Sequence, residues 1–402
     1  MTAQNKRHVL VLSTLWPNAV HPRLGNFVAS SIQALQQHTH WQPVLINPTG
    51  VPPVALGRYR ALKNAAIDGQ ENGLTVHRPI FRLIPRVGAR FNPAAIERAV
   101  LPLARQLHAE RAFELVDAQF FWPDGPAAAM IASDLGLPFS VKARGADIHY
   151  WGGKDYARDA MLAAARQASG LLAVSSALRS DMAALGMPDG KIALHYTGLD
   201  RDRFRPLGHA GLRARLAGQL DLPLGMDETL LVTVGALIER KGQAIVLRAL
   251  ADLPHARLLL VGRGEGEENL RALASELGIA ERVHFLGAVD HDLLPPLLSA
   301  ADAMVLPSAS EGLANAWIEA LACGTPLVIT DAGGAREVVT GPEAGVIVAR
   351  DAESVRKGIR LVLETPRDPQ EVAATVKRFS WEANGRQLGE HYDLLTDRKA
   401  VS

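Results

Sequence analysis

Three things are scarce in this 402-residue chain, and each scarcity excludes a class of protein. There is one cysteine, Cys323, so no disulfide can form within the chain, and the single thiol suits a reducing compartment. No apolar run approaches the roughly 20 residues needed to cross a bilayer. The early stretch Val9–Leu12 is cut short by Trp16-Pro17, too soon for a signal peptide, and reads better as a first strand. Neither sign of charge dominates. Forty-three Lys and Arg meet 42 Asp and Glu, and the net charge of +1 argues against a polyanion binder such as a nucleic-acid protein. The expected setting is the cytoplasm.

Apolar segments of strand length alternate with amphipathic segments of helix length along almost the whole chain. That alternation predicts an α/β fold with parallel sheets covered by helices on both faces. At this length the chain should form two or three domains.

One stretch concentrates the chemistry. Ala303–Pro307 reads as a buried strand, Ser310-Glu311-Gly312 as a turn, and Asn315–Cys323 as a helix stopped by Gly324 and Pro326. Leu327–Thr330 is the next strand, and Asp331–Gly334 a glycine turn. Two strand ends and a helix start thus face one place, where open α/β sheets bind ligands. Glu311 and Glu319 have seven residues between them, about 12 Å along a helix axis at 1.5 Å per residue. They are too far apart to share a proton or a metal, yet well spaced for two ends of a long ligand. The amides of Gly312, Leu313 and Ala314, at the start of the helix that Asn315 opens, would cradle a phosphate.

This pattern resembles the E-x7-E signature of retaining glycosyltransferases, and the flanking residues are similar to family 4 of that class, in the form found in bacterial enzymes of surface polysaccharides. The resemblance implies a GT-B fold: two facing Rossmann-like domains, with a last helix crossing back to the first. The boundaries expected are an acceptor-side domain over residues 1–198, a nucleotide-sugar domain over 199–378, and the crossing helix over 379–402. The first boundary rests on H-Y-T-G-L-D-R-D-R-F-R-P, which resembles the family's linker; Gly198, Asp200, Phe204 and Pro206 match it, while Tyr196-Thr197 replaces Pro-Asn.

The resemblance also assigns residues. Glu311 would orient the donor sugar, and Glu319 would accept hydrogen bonds from both ribose hydroxyls. Lys241, in R-K-G, would hold the diphosphate. The arginine that the family carries upstream is replaced by Ala236, so Arg240 or Arg144 would supply the second cation. Gly25, in H-P-R-L-G-N-F-V, would lie by the donor phosphates, with Asn26 beside it or capping the next helix. The turns at Gly262 and Val289 would surround the base. R-G-A-D-I-H places Arg144 where the family often has histidine. A guanidinium cannot act as a base at neutral pH, so Arg144 would stabilise negative charge, with Asp147 holding it or touching an acceptor hydroxyl.

Three further patterns are weighed. The strings Asp200–Asp202 and Asp290–Asp292 imitate a metal-binding D-x-D, but one lies in the linker and the other opens a helix. No metal or other cofactor is therefore expected. G-R-G-E-G at Gly262–Gly266 has the wrong spacing for a dinucleotide fingerprint, and its glutamates would repel a pyrophosphate. From Arg78 to Phe91, arginines recur every fourth residue between apolar ones, but Pro79, Pro85 and Gly88 forbid a continuous helix. This reads as a loop or broken helix, with peripheral contact to an anionic inner-membrane surface as one role and a solvated face as the other. The expected partners are a nucleotide-sugar and a glycan or lipid-linked acceptor. A non-catalytic nucleotide-sugar-binding subunit, an epimerase or a phosphorylase of the same architecture are the alternatives.

Overall fold

The structure, a computed structural model, describes residues 6–22, 24–84, 88–208, 211–222, 224–225, 228–290, 292–365 and 367–397. It divides into two compact units, Met1–Gly198 with Trp381–Ser402, and Leu199–Ser380.

The first unit carries strands β1 (Arg7–Leu12), β2 (Trp41–Ile46), β3 (Thr49–Val51), β4 (Gly69–Glu71), β5 (Leu74–His77), β6 (Ile80–Arg82), β7 (Phe113–Ala118), β8 (Phe139–Ala143), β9 (Gly170–Ala173) and β10 (Ile192–Leu194). Eight of them form one sheet in the order β10-β9-β8-β7-β1-β2-β5-β4, parallel except for the β4–β5 pair. Strands β8 and β9 are buried along their whole length, because helices cover both faces and solvent reaches neither. The helix Trp381–Asp397 completes this unit. It lies against the helix Asn26–His38 closely enough that a Cβ on Gly385 would sit 2.4 Å from the Ala34 carbonyl oxygen. Ser31 Oγ donates to Asn384 at 2.6 Å, and Trp41 Nε1 to Asp393 at 3.1 Å.

The second unit holds β11 (Thr229–Val234), β12 (Ala256–Val261), β13 (Val283–Gly287), β14 (Ala303–Leu306), β15 (Leu327–Thr330) and β16 (Gly345–Val348). All are parallel, in the order β13-β12-β11-β14-β15-β16. Numbered within the unit, that is 3-2-1-4-5-6, the doubly wound order of dinucleotide-binding folds. Leu231, Leu258, Val305 and Val328 on the strands meet Leu247 and Ile359 on the covering helices. The expected α/β architecture of GT-B type is what these two mainly parallel units form.

Local expectations are corrected in three places. The described residues of Arg78–Phe91 are neither a loop throughout nor a broken helix: they contain β6 and a 3-10 turn at Ala89–Phe91, while Pro85, Arg86 and Val87 lie outside the described residues. Arg78 itself is buried and pairs with Glu71, so it is not a surface cation. Asn26 is not a cap, because Gly25 takes that position at φ 70°. The helix expected to open at Asp290–Asp292 begins at Leu294, and His291 lies outside the described residues.

Candidate active site

In a sheet of order 3-2-1-4-5-6 the chain turns opposite ways after the first and fourth strands, which opens a crevice at their carboxyl ends. Here those strands are β11 and β14. The loop after β11 runs Gly235 to Gly242 and brings Lys241; the loop after β14 runs Pro307 to Ala314 and brings Glu311. Lys241 Nζ stands 2.5 Å from Glu311 Oε1, and Arg240 Nη1 lies 3.6 Å from Glu311 Oε2. Glu311 is 8% exposed, so two cations offset the cost of burying its charge.

The main chain sets this geometry. The Ala309 amide donates to the Arg240 carbonyl at 2.8 Å, and Arg240 Nη1 donates to the Ser310 carbonyl. Arg350, just past β16, braces both loops from behind, donating to the Pro307 and Glu239 carbonyls at 3.1 Å each. Gly242, at φ 76°, comes so close to Pro307 that a Cβ would sit 2.3 Å from its carbonyl oxygen. Gly333, at φ 53°, does the same beneath Glu311, where a Cβ would lie 2.1 Å from the Glu311 carbonyl oxygen.

The helix Asn315–Ala322 starts where this loop ends. Among the described residues the amides of Gly312, Leu313, Ala314 and Asn315 donate to no protein acceptor, so the helix start leaves four donors open. Trp317 and Leu321 bury the far face of the helix. Glu319 is half-buried, its carboxylate accepts no hydrogen bond among the described residues, and burial raises its carboxyl to about 7 against a weak pull from Arg203. Gly262 after β12 presses on Gly235, with a Cβ only 1.9 Å from its carbonyl oxygen, so the turns of neighbouring strands fit only as glycines. Val289, after β13, is half-buried at the edge of the same sheet end.

The two D-x-D strings are engaged within the protein. Asp200 accepts from the amides of Asp202 and Arg203, and Asp292 pairs with Arg203. Among the described residues no cluster of acids, histidines and cysteines has metal-holding geometry.

In the first unit the chain diverges from β1 to β2 on one side and to β7 on the other. The loops after β7 and β8 and the start of the helix Asn26–His38 converge there on Arg144. Its Nε donates to the Gln119 carbonyl at 3.1 Å and its Nη2 to Gln119 Oε1 at 2.5 Å. Its guanidinium lies 4.8 Å from the Phe27 ring centroid, in cation–π contact. Burial lowers Arg144 to about 10, offset by Asp147 and Asp117, so it stays charged at neutral pH. Gly25 packs against Leu15, with a Cβ position 2.4 Å from the Leu15 carbonyl oxygen.

Asp147 needs a correction. Its carboxylate does not hold the Arg144 guanidinium. It is fully buried and accepts from the main-chain amides of Phe121 at 3.0 Å, Arg144 at 3.0 Å, Gly145 at 2.8 Å and Ile148 at 3.2 Å. It therefore shapes the loop that presents Arg144 and is closed to an acceptor hydroxyl. Sequence reasoning missed Gln119, Phe27 and Arg350. Gln119 could have been found as the first residue past a strand at the sheet's divergence; Arg350 could not, because β16 was not recognised.

The fold and these paired strand-end sites define a GT-B glycosyltransferase. Residues 221–388 match the family described as "Glycosyl transferases group 1", and residues 24–198 match "Glycosyl transferase 4-like domain". The GDP-mannose-dependent alpha-(1-6)-phosphatidylinositol monomannoside mannosyltransferase of Mycolicibacterium smegmatis is 30% identical over 266 residues, covering 62% of this chain and 68% of that protein. The putative teichuronic acid biosynthesis glycosyltransferase TuaC of Bacillus subtilis is 27% identical over 404 residues, 96% of this chain and 98% of TuaC. Among solved structures, sucrose-phosphate synthase of Thermosynechococcus elongatus shares the fold, with a TM-score of 0.76 at 21% identity over 99% of this chain and 100% of that one. The chain belongs to the family 4 glycosyltransferases.

Proposed function

We propose that this glycosyltransferase is retaining and metal-independent, and that it moves a sugar from a nucleotide-sugar to a glycan or lipid-linked acceptor in polysaccharide or glycolipid synthesis. The observation that carries this is the cluster at the β11–β14 crevice: Lys241, Arg240, Glu311 and four unengaged amides, with Glu319 seven residues beyond Glu311. A diphosphate between nucleoside and sugar needs such a set of donors at its centre and a hydroxyl acceptor at each end. The mycobacterial relative is named for a GDP-mannose donor and a phosphatidylinositol mannoside, and TuaC for a cell-wall polysaccharide, which supports the donor and acceptor classes.

In this reading the bond from the anomeric carbon to the diphosphate breaks, and its electron pair leaves on the phosphate oxygen. Lys241, Arg240 and the helix amides stabilise that charge. The acceptor oxygen bonds to the carbon on the same face, and its proton passes to the leaving phosphate. Glu311 holds donor-sugar hydroxyls, Glu319 the ribose, and the turns at Gly262 and Val289 the base. Arg144 and Gly25 in the first unit act on phosphate charge from donor or acceptor. The acceptor is presented at a cytoplasmic membrane surface, where the enzyme is peripheral.

The test is a thermal-shift panel of UDP-, GDP-, dTDP- and CMP-sugars in EDTA. Stabilisation by one nucleotide class, lost in Glu319→Ala, supports the reading and names the base. Turnover abolished by EDTA and restored by Mg²⁺ or Mn²⁺ would overturn metal independence.

A further inference from the structure

Between β2 and the helix Asn92–Glu110, the first unit carries an excursion in which β3 and β6 pair as a separate two-stranded sheet, with the short helix Arg58–Ala65 beside them. We infer that the outer face of this excursion docks the protein on an anionic lipid surface. The inference deepens the proposed function by naming the surface that meets the acceptor's membrane.

Three observations converge on it. The first is apolar exposure. Of fourteen large apolar side chains exposed among the described residues, six fall here: Val54, Leu56, Ile67, Ile80, Ile84 and Phe91. Alternation along β6 turns Phe81 inward and puts Ile80 and Arg82 on the outer side, and Ile84 continues that side past the strand. Pro52, Pro53, Ala55, Ile80 and Lys63 line a groove of about 430 Å³ over the β3–β6 pair.

The second is charge. Residues 52–91 hold seven arginines and lysines against two acids, a net +5 in a chain whose total is +1. Both acids are engaged internally: Asp68 by His77 and the Arg78 amide, and Glu71 by Arg78 and Trp16. Arg58, Arg60, Lys63, Arg82 and Arg90 have no carboxylate partner among the described residues. Cations interleaved with exposed apolar side chains are the pattern that binds phosphate headgroups and inserts between them.

The third is the helix Arg58–Ala65, eight residues long with none of them buried. A helix this short is marginal in water without a packed face. A lipid surface gives its tyrosine, leucine and alanines that face, while Arg58 and Lys63 reach headgroups.

The experiment is co-sedimentation of the full chain with phosphatidylcholine vesicles, with and without phosphatidylglycerol. Binding is expected only with phosphatidylglycerol, weakening as salt rises. Arg58→Glu/Lys63→Glu/Arg82→Glu should lower binding by roughly a hundredfold, at about fivefold for each cation lost. Leu56→Ser/Ile80→Ser/Ile84→Ser should lower it by roughly tenfold. Both variants should keep the nucleotide-sugar thermal shift, which shows them folded and tests donor binding independently. Wild-type protein left in the supernatant, equal binding to pure phosphatidylcholine, or unchanged binding by the charge-reversed variant would overturn the inference. So would a stable dimer abolished by the same substitutions, which would assign the face to a second copy of the chain.

Discussion

Lys241 Nζ sits 2.5 Å from Glu311 Oε1, so the cation proposed for the diphosphate is paired with the carboxylate proposed for the sugar. In the proposed reading an arriving phosphate would compete for this lysine and release part of the carboxylate to accept hydroxyls. Lys241→Ala should therefore weaken nucleoside diphosphate binding by about 2 kcal/mol while leaving the nucleoside nearly unaffected. Calorimetric titration with both ligands checks it. Equal losses would remove Lys241 from the phosphate.

Glu311→Gln keeps the size and one acceptor oxygen but loses the charge. Transfer should fall by at least about a hundredfold, with the fold retained and nucleoside diphosphate bound no more weakly than in wild type, because Lys241 no longer has to leave the carboxylate. Steady-state rates together with a melting curve decide it. Unchanged turnover would place Glu311 outside the chemistry.

The ribose role proposed for Glu319 predicts donor binding that is sensitive to pH. Burial lifts its carboxyl from 4.5 to about 7, so near neutrality a fraction is protonated. A carboxylate can accept from both ribose hydroxyls and the protonated acid cannot, so nucleoside affinity should rise as pH climbs through 7 and then level. Stability should move the other way. Between 4.5 and 7 the folded state holds a proton that the unfolded chain has released, so this contribution is full below that window and fades as pH rises through it. Dissociation constants and melting temperatures from pH 5.5 to 8.5, with Glu319→Gln as the flat reference, measure both slopes.

Arg144 is gripped by Gln119 through two hydrogen bonds that a lysine cannot reproduce. Arg144→Lys should thus fail to restore what Arg144→Ala removes, a loss in kcat of roughly tenfold or more. Gln119→Ala, which removes the side-chain half of the grip together with the hydrogen bond to buried Asp117, should give a smaller loss with nucleotide affinity unchanged. A full-activity Arg144→Lys enzyme would show that charge alone suffices.

Asp147 predicts a loss of stability rather than of chemistry. Removing a carboxylate that satisfies four amides leaves buried donors unpaired, so Asp147→Ala should cost about 3 kcal/mol in urea unfolding. Asp147→Asn, which keeps one acceptor oxygen, should cost less.

The alternation of apolar runs was legible because strands covered on both faces are continuously hydrophobic, and every strand of the second sheet but β16 could be read that way. Gly345–Val348 is short and half-exposed, so it carries a weak signal, and Arg350 was lost with it. The excursion after β2 was missed for the same reason: β3, β4 and β6 have three residues each. Of the site, Glu311, Glu319 and Lys241 could be named from spacing and resemblance. What could not be read were contacts set by distant segments. Nothing near Asp147 announces that its carboxylate folds inward onto amides of two loops, and the place of Gln119 just past β7 marks it as a site residue without announcing its grip on Arg144, 25 residues downstream.

The helix Trp381–Asp397 belongs to the unit built by the first 198 residues, and it seals that unit's packing with Leu388 and Tyr392. On the ribosome the first half emerges early yet stays unfinished until its closing helix has been made. Val28, Ile32 and Leu35 are without that cover in the meantime. The second unit is contiguous in sequence and can mature as soon as it is synthesised. The order of synthesis and the order of completion are therefore reversed, and a nascent chain stalled before residue 381 would combine a finished second unit with a first unit whose apolar helix face is still uncovered.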